Sequence, residues 1–364
     1  MARKASLVQA ERDMVRHCHS GLDVGRLRHQ VLQSLRRLMP VDAAFFATAD
    51  PMTLLFTDAH AEEPLSAATP LFLDNEFASN DVNKFALLAT SATHVASLDG
   101  ATRRDRSSSP RYRDIMRPLG LGDELRAALI TGSECWGYLC LHRVDHPLGF
   151  THSEATLIAR LGPHIAHALR QAVLLHRSST AGNAPRPGVV LLAHDLSLVA
   201  STPEADHLLS LVEDDRSTRL PLPVAVYTVA AALGAVEQGA AASDVLPSAR
   251  VRTTVGRWLN VHASRLQGPP GENRIAVVVE PAEPRATLSI LLSAHQLSVR
   301  EAEVARLVLR GVSTRAISDT LHISRHTVQD HLKAIFDKVG VRSRRDLVGQ
   351  LLDQSGPIDP ERQD

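Results

Sequence analysis

Apolar and polar positions alternate along the chain in three successive regimes. In the first, apolar residues recur at helical spacing over 13–38 (Val15, Leu22, Val24, Leu27, Val31, Leu35), and Pro40 ends the run. Dense apolar stretches at 41–49, 54–58, 124–131 and 135–143 read as strands, the last two joined by a Gly132-Ser133-Glu134 hairpin turn. Residues 85–88 read as a short helix. The helical period returns over 153–177, with Leu157, Leu161, Ile165, Ala168, Ala172 and Leu175 near one face and Pro163 predicting a bend. That stripe suits either packing within its own domain or pairing of two copies. Residues 1–12 are expected to fray. The charged, Ser-rich stretch 101–113 is expected as a solvated loop, with a lid or modification site as the alternative.

The second regime follows a small, polar, Pro- and Gly-bearing linker at 178–187. It reads as strands at 188–193 and 198–200, helical stretches at 205–211 and 221–236, and three consecutive antiparallel strands at 250–254, 257–264 and 275–280. Residues 281–293 read as a short connection, and 356–364 as a polar tail.

The third regime, 297–352, reads as four short helices. Ser298 with Glu301 has capping-box spacing, and Ser313 and Ser324 each stand just ahead of a new apolar period. Ser343 with Asp346 repeats the box in a weaker form, and Gly311 and Gly340 fall where helices one and three should stop. In helix three, Val328, Leu332, Ile335 and Val339 form a core stripe. His326, Asp330, Lys333 and Asp337 take the opposite face, flanked by Thr327 and Gln329. A short helix, a tight turn at His322 and Ile323, and a second helix make a helix-turn-helix over about 313–332, the motif whose second helix enters the DNA major groove.

Charge sharpens this division. Lys plus Arg and Asp plus Glu both total 40 in the 364-residue chain, so no basic field covers the whole. Residues 297–352 hold ten Lys/Arg against six Asp/Glu, which leaves that stretch basic and the remainder slightly acidic. Cys18, Cys135 and Cys140 are too scattered for a disulfide framework, which predicts reduced thiols. No apolar run has membrane-helix length and the first residues have no signal-peptide core, so a cytoplasmic location is expected.

The third regime resembles the LuxR-type (FixJ-type) DNA-binding domain. The resemblance rests on Leu297, Arg300, Glu301, Glu303, Val304, Gly311, Ser313, Ile317, Leu321, Ile323, Ser324, Thr327, Val328, His331, Leu332, Ile335, Lys338, Gly340, Val341, Ser343, Arg344 and Leu347. Gln329 departs from the family's usual Lys after the Thr-Val pair, and Asp330 occupies the next groove-facing slot. The first regime is similar to a GAF sensor domain, mainly over 115–177, through Gly120-Leu121-Gly122-Asp123-Glu124-Leu125, Trp136-Gly137, Leu141-His142-Arg143 and Phe150-Thr151. This string resembles actinobacterial GAF-containing LuxR regulators. The second regime resembles a PAS domain in layout, with Asp195, Ser201 and Ala205 at the turn into its first helix and Gly256-Arg257-Trp258-Leu259 at its fourth-strand entry.

These resemblances imply a multidomain α+β chain: antiparallel-sheet sensor domains, GAF-like at 13–177 and PAS-like at 188–285, then an all-α four-helix domain at 290–354 and a tail at 355–364. Base-facing candidates are His326, Gln329, Asp330 and Lys333. Gln can pair with adenine, Asp can accept from cytosine N4, and Lys can meet guanine acceptors. Phosphate candidates are Ser313, Thr314, Arg315, Thr327, Lys338, Ser343, Arg344 and Arg345, with Arg342 nearby. Leu347, Val348, Leu351 and Leu352 come in quick succession on helix four. Some must pack on the bundle, and Leu347, Val348 and Leu351 are the candidate dimer contact.

Catalytic and metal motifs are not found. His164 with His167, and Cys140 with His142, lack a second pair at zinc-ligand spacing, and no nucleophile elbow, His-Glu-x-x-His or Walker loop is present. Neither a phosphoacceptor receiver pattern nor the Trp/Tyr/Asp set of acyl-homoserine-lactone pockets is seen. The expected function is therefore a one-component regulator, not an enzyme. It binds double-stranded DNA as a homodimer without a cofactor, answers a small-molecule or protein effector at its sensor domains, and communicates with RNA polymerase. The alternative is a protein-interaction adaptor for which DNA binding is secondary.

Overall fold

The computed structural model describes residues 2–144, 148–175, 186–212, 217–239, 247–267 and 273–355. They form two compact units, the first drawn from residues up to 175 together with 186–281, the second beginning at residue 282. The expected linker (178–187) and tail (355–364) lie outside the described residues except at their edges.

The first unit opens with α1 (Ala2–Cys18) and α2 (Val24–Leu38). The expectation of a frayed start and one helix over 13–38 is corrected here. Helix begins at once and breaks at 19–23, where Gly21 takes φ +67° and Asp23 caps α2 by accepting from the Arg26 N–H at 2.8 Å. There follow β1 (Ala43–Ala49), β2 (Phe56–Ala61), α3 (Thr69–Phe77), α4 (Phe85–Thr90), β3 (Val95–Ser97) and α5 (Leu98–Ala101). A long hairpin, β4 (Leu121–Thr131) and β5 (Glu134–Val144), leads into α6 (His152–Leu175), which continues through Pro163. The five strands pair antiparallel in the order β2-β1-β5-β4-β3.

Strands β4 and β5 are buried on both faces. Leu129 reaches Gly162 of α6, and a Cβ at Gly137 would collide with Leu169, so the face bearing Leu125, Leu129, Leu139 and Leu141 is the one α6 covers. The opposite face presents Glu124, Arg126, Tyr138, Cys140 and His142. Of the stripe on α6, Leu161, Ile165, Ala168 and Ala172 are buried within the unit, whereas Leu175 is exposed.

A second sheet follows: β6 (Gly188–Leu192), β7 (Leu198–Ser201), α7 (Pro203–Ser210), α8 (Val224–Glu237), β8 (Ser248–Arg252), β9 (Trp258–Leu266) and β10 (Arg274–Pro281). Its order is β7-β6-β10-β9-β8, so each sheet arranges its strands as second, first, fifth, fourth, third. The sequence boundaries separate two sheets but not two cores. Apolar residues of both belong to one continuous cluster, and α8 packs on β9 as well as on β2 and α3. Val224 through Ala230 are all buried, which is why this helix is apolar all round and lacks a stripe.

Polar contacts also pin the sheets together. Thr228 Oγ1 on α8 donates to the Phe56 carbonyl on β2 at 3.0 Å. Asp50, wholly buried at the end of β1, accepts from Arg250 on β8 through the backbone N–H at 2.9 Å, Nε at 2.7 Å and Nη2 at 2.8 Å.

The second unit is helical: α9 (Pro284–Ala294), α10 (Val299–Leu309), α11 (Thr314–Leu321), α12 (Arg325–Val339) and α13 (Arg344–Ser355). The connection expected at 281–293 is a helix, because Leu288, Ile290, Leu291 and Leu292 have an apolar partner in α13. The serine caps form as expected. Ser298 and Glu301 close a reciprocal capping box, and Ser313 and Ser324 accept from the N–H groups of Ala316 and Thr327.

Removing one partner of a buried, hydrogen-bonded ion pair leaves the other charge uncompensated. Asp50→Ala should therefore cost the first unit about 3 kcal/mol, read as a lowered urea midpoint. A loss below about 1 kcal/mol would show that the sheets do not depend on this pair.

Candidate nucleic-acid interface and sensor cavity

The turn between α11 and α12 is held from three sides. His322 ends α11 in the left-handed region at φ +53°, Ser318 Oγ donates to the Ile323 carbonyl at 2.6 Å, and Arg300 of α10 donates to the Leu321 carbonyl at 2.5 Å. Val328, Leu332, Ile335 and Val339 bury one face of α12. His326, Gln329, Asp330 and Lys333 are all exposed on the other, at spacings that stack them along two turns. The structure thus brings the four base-facing candidates together. His326 Nδ1 lies 2.9 Å from Asp330 Oδ2.

The phosphate candidates divide. Ser313, Arg315 and Arg345 are exposed; Thr314, Thr327 and Ser343 are partly so. Lys338 is exposed, and its ammonium pairs with Glu301 Oε2 at 2.6 Å and the Gln296 carbonyl at 3.1 Å, which ties the end of α12 to the start of α10. Arg344 donates to the Val312 carbonyl and braces the loop before α11. The dimer contact is corrected, since Leu347 and Leu351 are fully buried where α13 packs on α9 and α10. Val348 is partly exposed, and the side chain of Leu352 lies outside the described residues. Sequence reading missed Arg325, exposed in the first turn of α12. A cation directly after the Ser324 cap was the available signal.

Residues 295–350 match the family described as "Bacterial regulatory proteins, luxR family", and residues 23–169 match the GAF domain. The chain carries a GAF domain and a LuxR-family helix-turn-helix domain. No curated protein matches the sequence. Among solved structures, the VqsR LBD domain from Pseudomonas aeruginosa is 15% identical, over 44% of this chain and 95% of that one, with a TM-score of 0.31. Escherichia coli SdiA is 11% identical over 94% and 96%, with a TM-score of 0.34. Vibrio cholerae VqmA is 16% identical over 46% and 83%, with a TM-score of 0.20. At these TM-scores the likenesses carry no argument about ligand or assembly. No helix among the described residues is long and apolar enough to cross a membrane.

A cavity of about 40 Å³ lies between the GAF sheet's face away from α6 and the helices α3 and α4. Phe45, Phe56, Phe72 and Phe85 form an aromatic wall, and Glu76, Arg126, Cys140 and His142 supply the polar lining. That volume holds about three water-sized atoms.

Beneath it runs a buried ionic network. Arg111 Nε donates to Glu124 Oε1 at 2.8 Å, and Arg111 Nη1 donates to Asn75 Oδ1 at 3.0 Å. Arg126 Nη1 donates to Glu76 Oε2 at 2.7 Å, and its guanidinium lies 4.4 Å from the Phe85 ring centroid. Lys84 Nζ donates to the Asn75 and Glu76 carbonyls at 2.6 and 2.5 Å, and Asp81 accepts from the Arg111 N–H at 2.7 Å. Three cations thus face three carboxylates. The reading of 101–113 as a solvated loop is corrected at Arg111, which is 0% exposed because its guanidinium is fully engaged by these partners.

Burial alone would raise the Glu124 carboxyl, but the Arg111 and Arg126 guanidiniums override it and hold it well below the usual carboxylate range. Burial drives the Cys140 thiol well up, and the Glu124 charge adds to this. Burial lowers His142 to about 4; Glu124 opposes the shift, while Arg126 and Arg111 reinforce it. Glu124, Cys140 and His142 bring ligand atoms within 4.8 Å of one another. The Glu124 carboxylate is already engaged by the Arg111 and Arg126 guanidiniums. Cys140 Sγ and His142 Nε2 lie 3.1 Å apart, and His142 Nδ1 has no hydrogen-bond partner.

A depressed histidine stabilises the fold above its ordinary range, and the contribution is lost as pH falls toward the folded-state value. For His142 the window runs from its ordinary value of 6.5 down to about 4. Asp123, raised by burial to about 6, acts in the opposite sense over part of that range, so a single stability curve mixes the two. The stability difference between wild type and His142→Gln isolates the histidine. It should shrink by about 3 kcal/mol between neutral pH and about pH 4, followed by urea denaturation. A difference that stays flat across that range would show that His142 titrates as in the unfolded chain.

Proposed function

We propose that the chain is a one-component transcription regulator whose LuxR-type domain binds operator DNA and whose GAF domain sets when it does so. The observation that carries the reading is the exposed row His326, Gln329, Asp330 and Lys333 on the second helix of the helix-turn-helix, which this reading puts in the major groove, with Arg325, Arg315 and Arg345 exposed in the same domain. In this reading His326, Gln329 and Lys333 face bases, and Arg315, Arg325 and Arg345 contact phosphates together with Ser313, Thr314, Thr327 and Ser343. The role assigned to the chain is binding, not catalysis.

The effector reading rests on the GAF cavity. Phe56 lines it and also accepts the hydrogen bond from Thr228, so a molecule that moves β2 is felt at α8 and the second sheet. A ligand shifts such an equilibrium only through different affinities for two states. The second sheet, PAS-like in layout, acts in this reading as the partner that responds. Two copies of the chain present two DNA-binding domains to two half-sites, and RNA polymerase is the partner downstream.

Gel shifts and footprints with the DNA upstream of the chain's own gene test the reading, and the absence of any sequence-preferential shift would overturn it. Gln329→Ala combined with Lys333→Ala should relax sequence preference. Arg345→Ala should weaken all sequences alike and reduce the slope of log affinity against log salt by about 1. Equal weakening of all sequences by both variants would show that α12 does not read bases. Native mass spectrometry of the full chain tests the effector directly, by the mass of any copurified small molecule and its loss in Phe56→Ala.

A further inference from the structure

The exposed pair on α12 is poorly explained by stability. Of the His326 and Asp330 side chains, 88% and 66% is exposed, and ion pairs one turn apart on a helix surface contribute little. Helix α12 is already fixed by its Ser324 cap and its buried stripe. A carboxylate facing a polyanion also weakens binding unless something offsets it.

Orientation is what the pair does supply. A carboxylate only accepts, so the proton between the two groups sits on Nδ1. In the neutral ring this leaves Nε2, on the far side, as a hydrogen-bond acceptor. Among the base edges in the major groove, the donors are the N6 amino group of adenine and the N4 amino group of cytosine; guanine and thymine offer acceptors.

On the reading that α12 enters the major groove, we propose that His326 determines specificity and that Asp330 positions it. The held imidazole presents Nε2 to the amino group of an adenine or a cytosine. Asp330, committed to the ring, reads no base itself.

Selection of bound duplexes from a randomised pool tests this, using the full chain at about pH 8, where imidazole is neutral. Wild type should enrich one base pair at one position of each half-site, the pair whose adenine or cytosine amino group meets Nε2. His326→Ala and Asp330→Ala should each reduce that enrichment several-fold at the same position and leave the others in place. Asp330→Asn should keep most of it, because an amide oxygen also accepts from the Nδ1–H. All three side-chain changes are on exposed positions, so folding is not at stake.

The proposal is overturned if Asp330→Ala alters a position that His326→Ala leaves intact, the result expected of an aspartate that reads cytosine directly. It is also overturned if Asp330→Asn behaves like Asp330→Ala. Enrichment that no variant disturbs removes this proposal and leaves the groove reading standing. A wild-type chain that enriches nothing removes both.

Discussion

Charge pairing within a sheet buried on both faces is the constraint on which the sensor unit depends. Strands β4 and β5 have α6 against one face and α3 and α4 against the other, so every charge on them needs a partner inside the protein. Glu124 and Arg126, two residues apart on one strand, meet that need by drawing in Arg111, Glu76 and Asn75 from segments that would otherwise lie on the surface. The network therefore specifies where α3 and the 101–116 stretch must sit. The cavity follows as the space the aromatic residues leave above it.

The same economy links the two sheets. Strand β2 is an edge strand, and an uncovered edge is a liability. Helix α8 covers it, and one hydroxyl, Thr228, takes up the Phe56 carbonyl. At the far end of β1, Asp50 takes up Arg250. A strand that lines the cavity is thus also a strand on which the second sheet leans.

What was legible in the sequence was local. Ser298, Ser313 and Ser324 cap helices because capping needs only a side chain and an amide two or three residues away. The β4–β5 hairpin was readable from its turn, and the exposed row on α12 from helical spacing. What failed was tertiary. Arg111 sits in a stretch whose composition is that of solvent-exposed loops, and the residues that bury it are distant in sequence. Leu347 and Leu351 looked available for a second copy only because α9, read as a connection, was not counted among the helices they pack on. The contacts that Lys338 and Arg344 make with Glu301 and the Val312 carbonyl within the domain were likewise invisible in the sequence. Sequence shows which residues can do a task; only the fold shows which are already occupied.

Helix α8 has a practical implication for dissecting the chain. A fragment that stops at Leu175 would strip the apolar cover from β2 and α3 and leave Asp50 without its arginine. A fragment that starts at Gly188 would expose a helix with no hydrophilic side to turn toward water. The boundary that composition draws most clearly, between the two sheets, is thus a poor place to cut, and the change of unit at residue 282 is the better one.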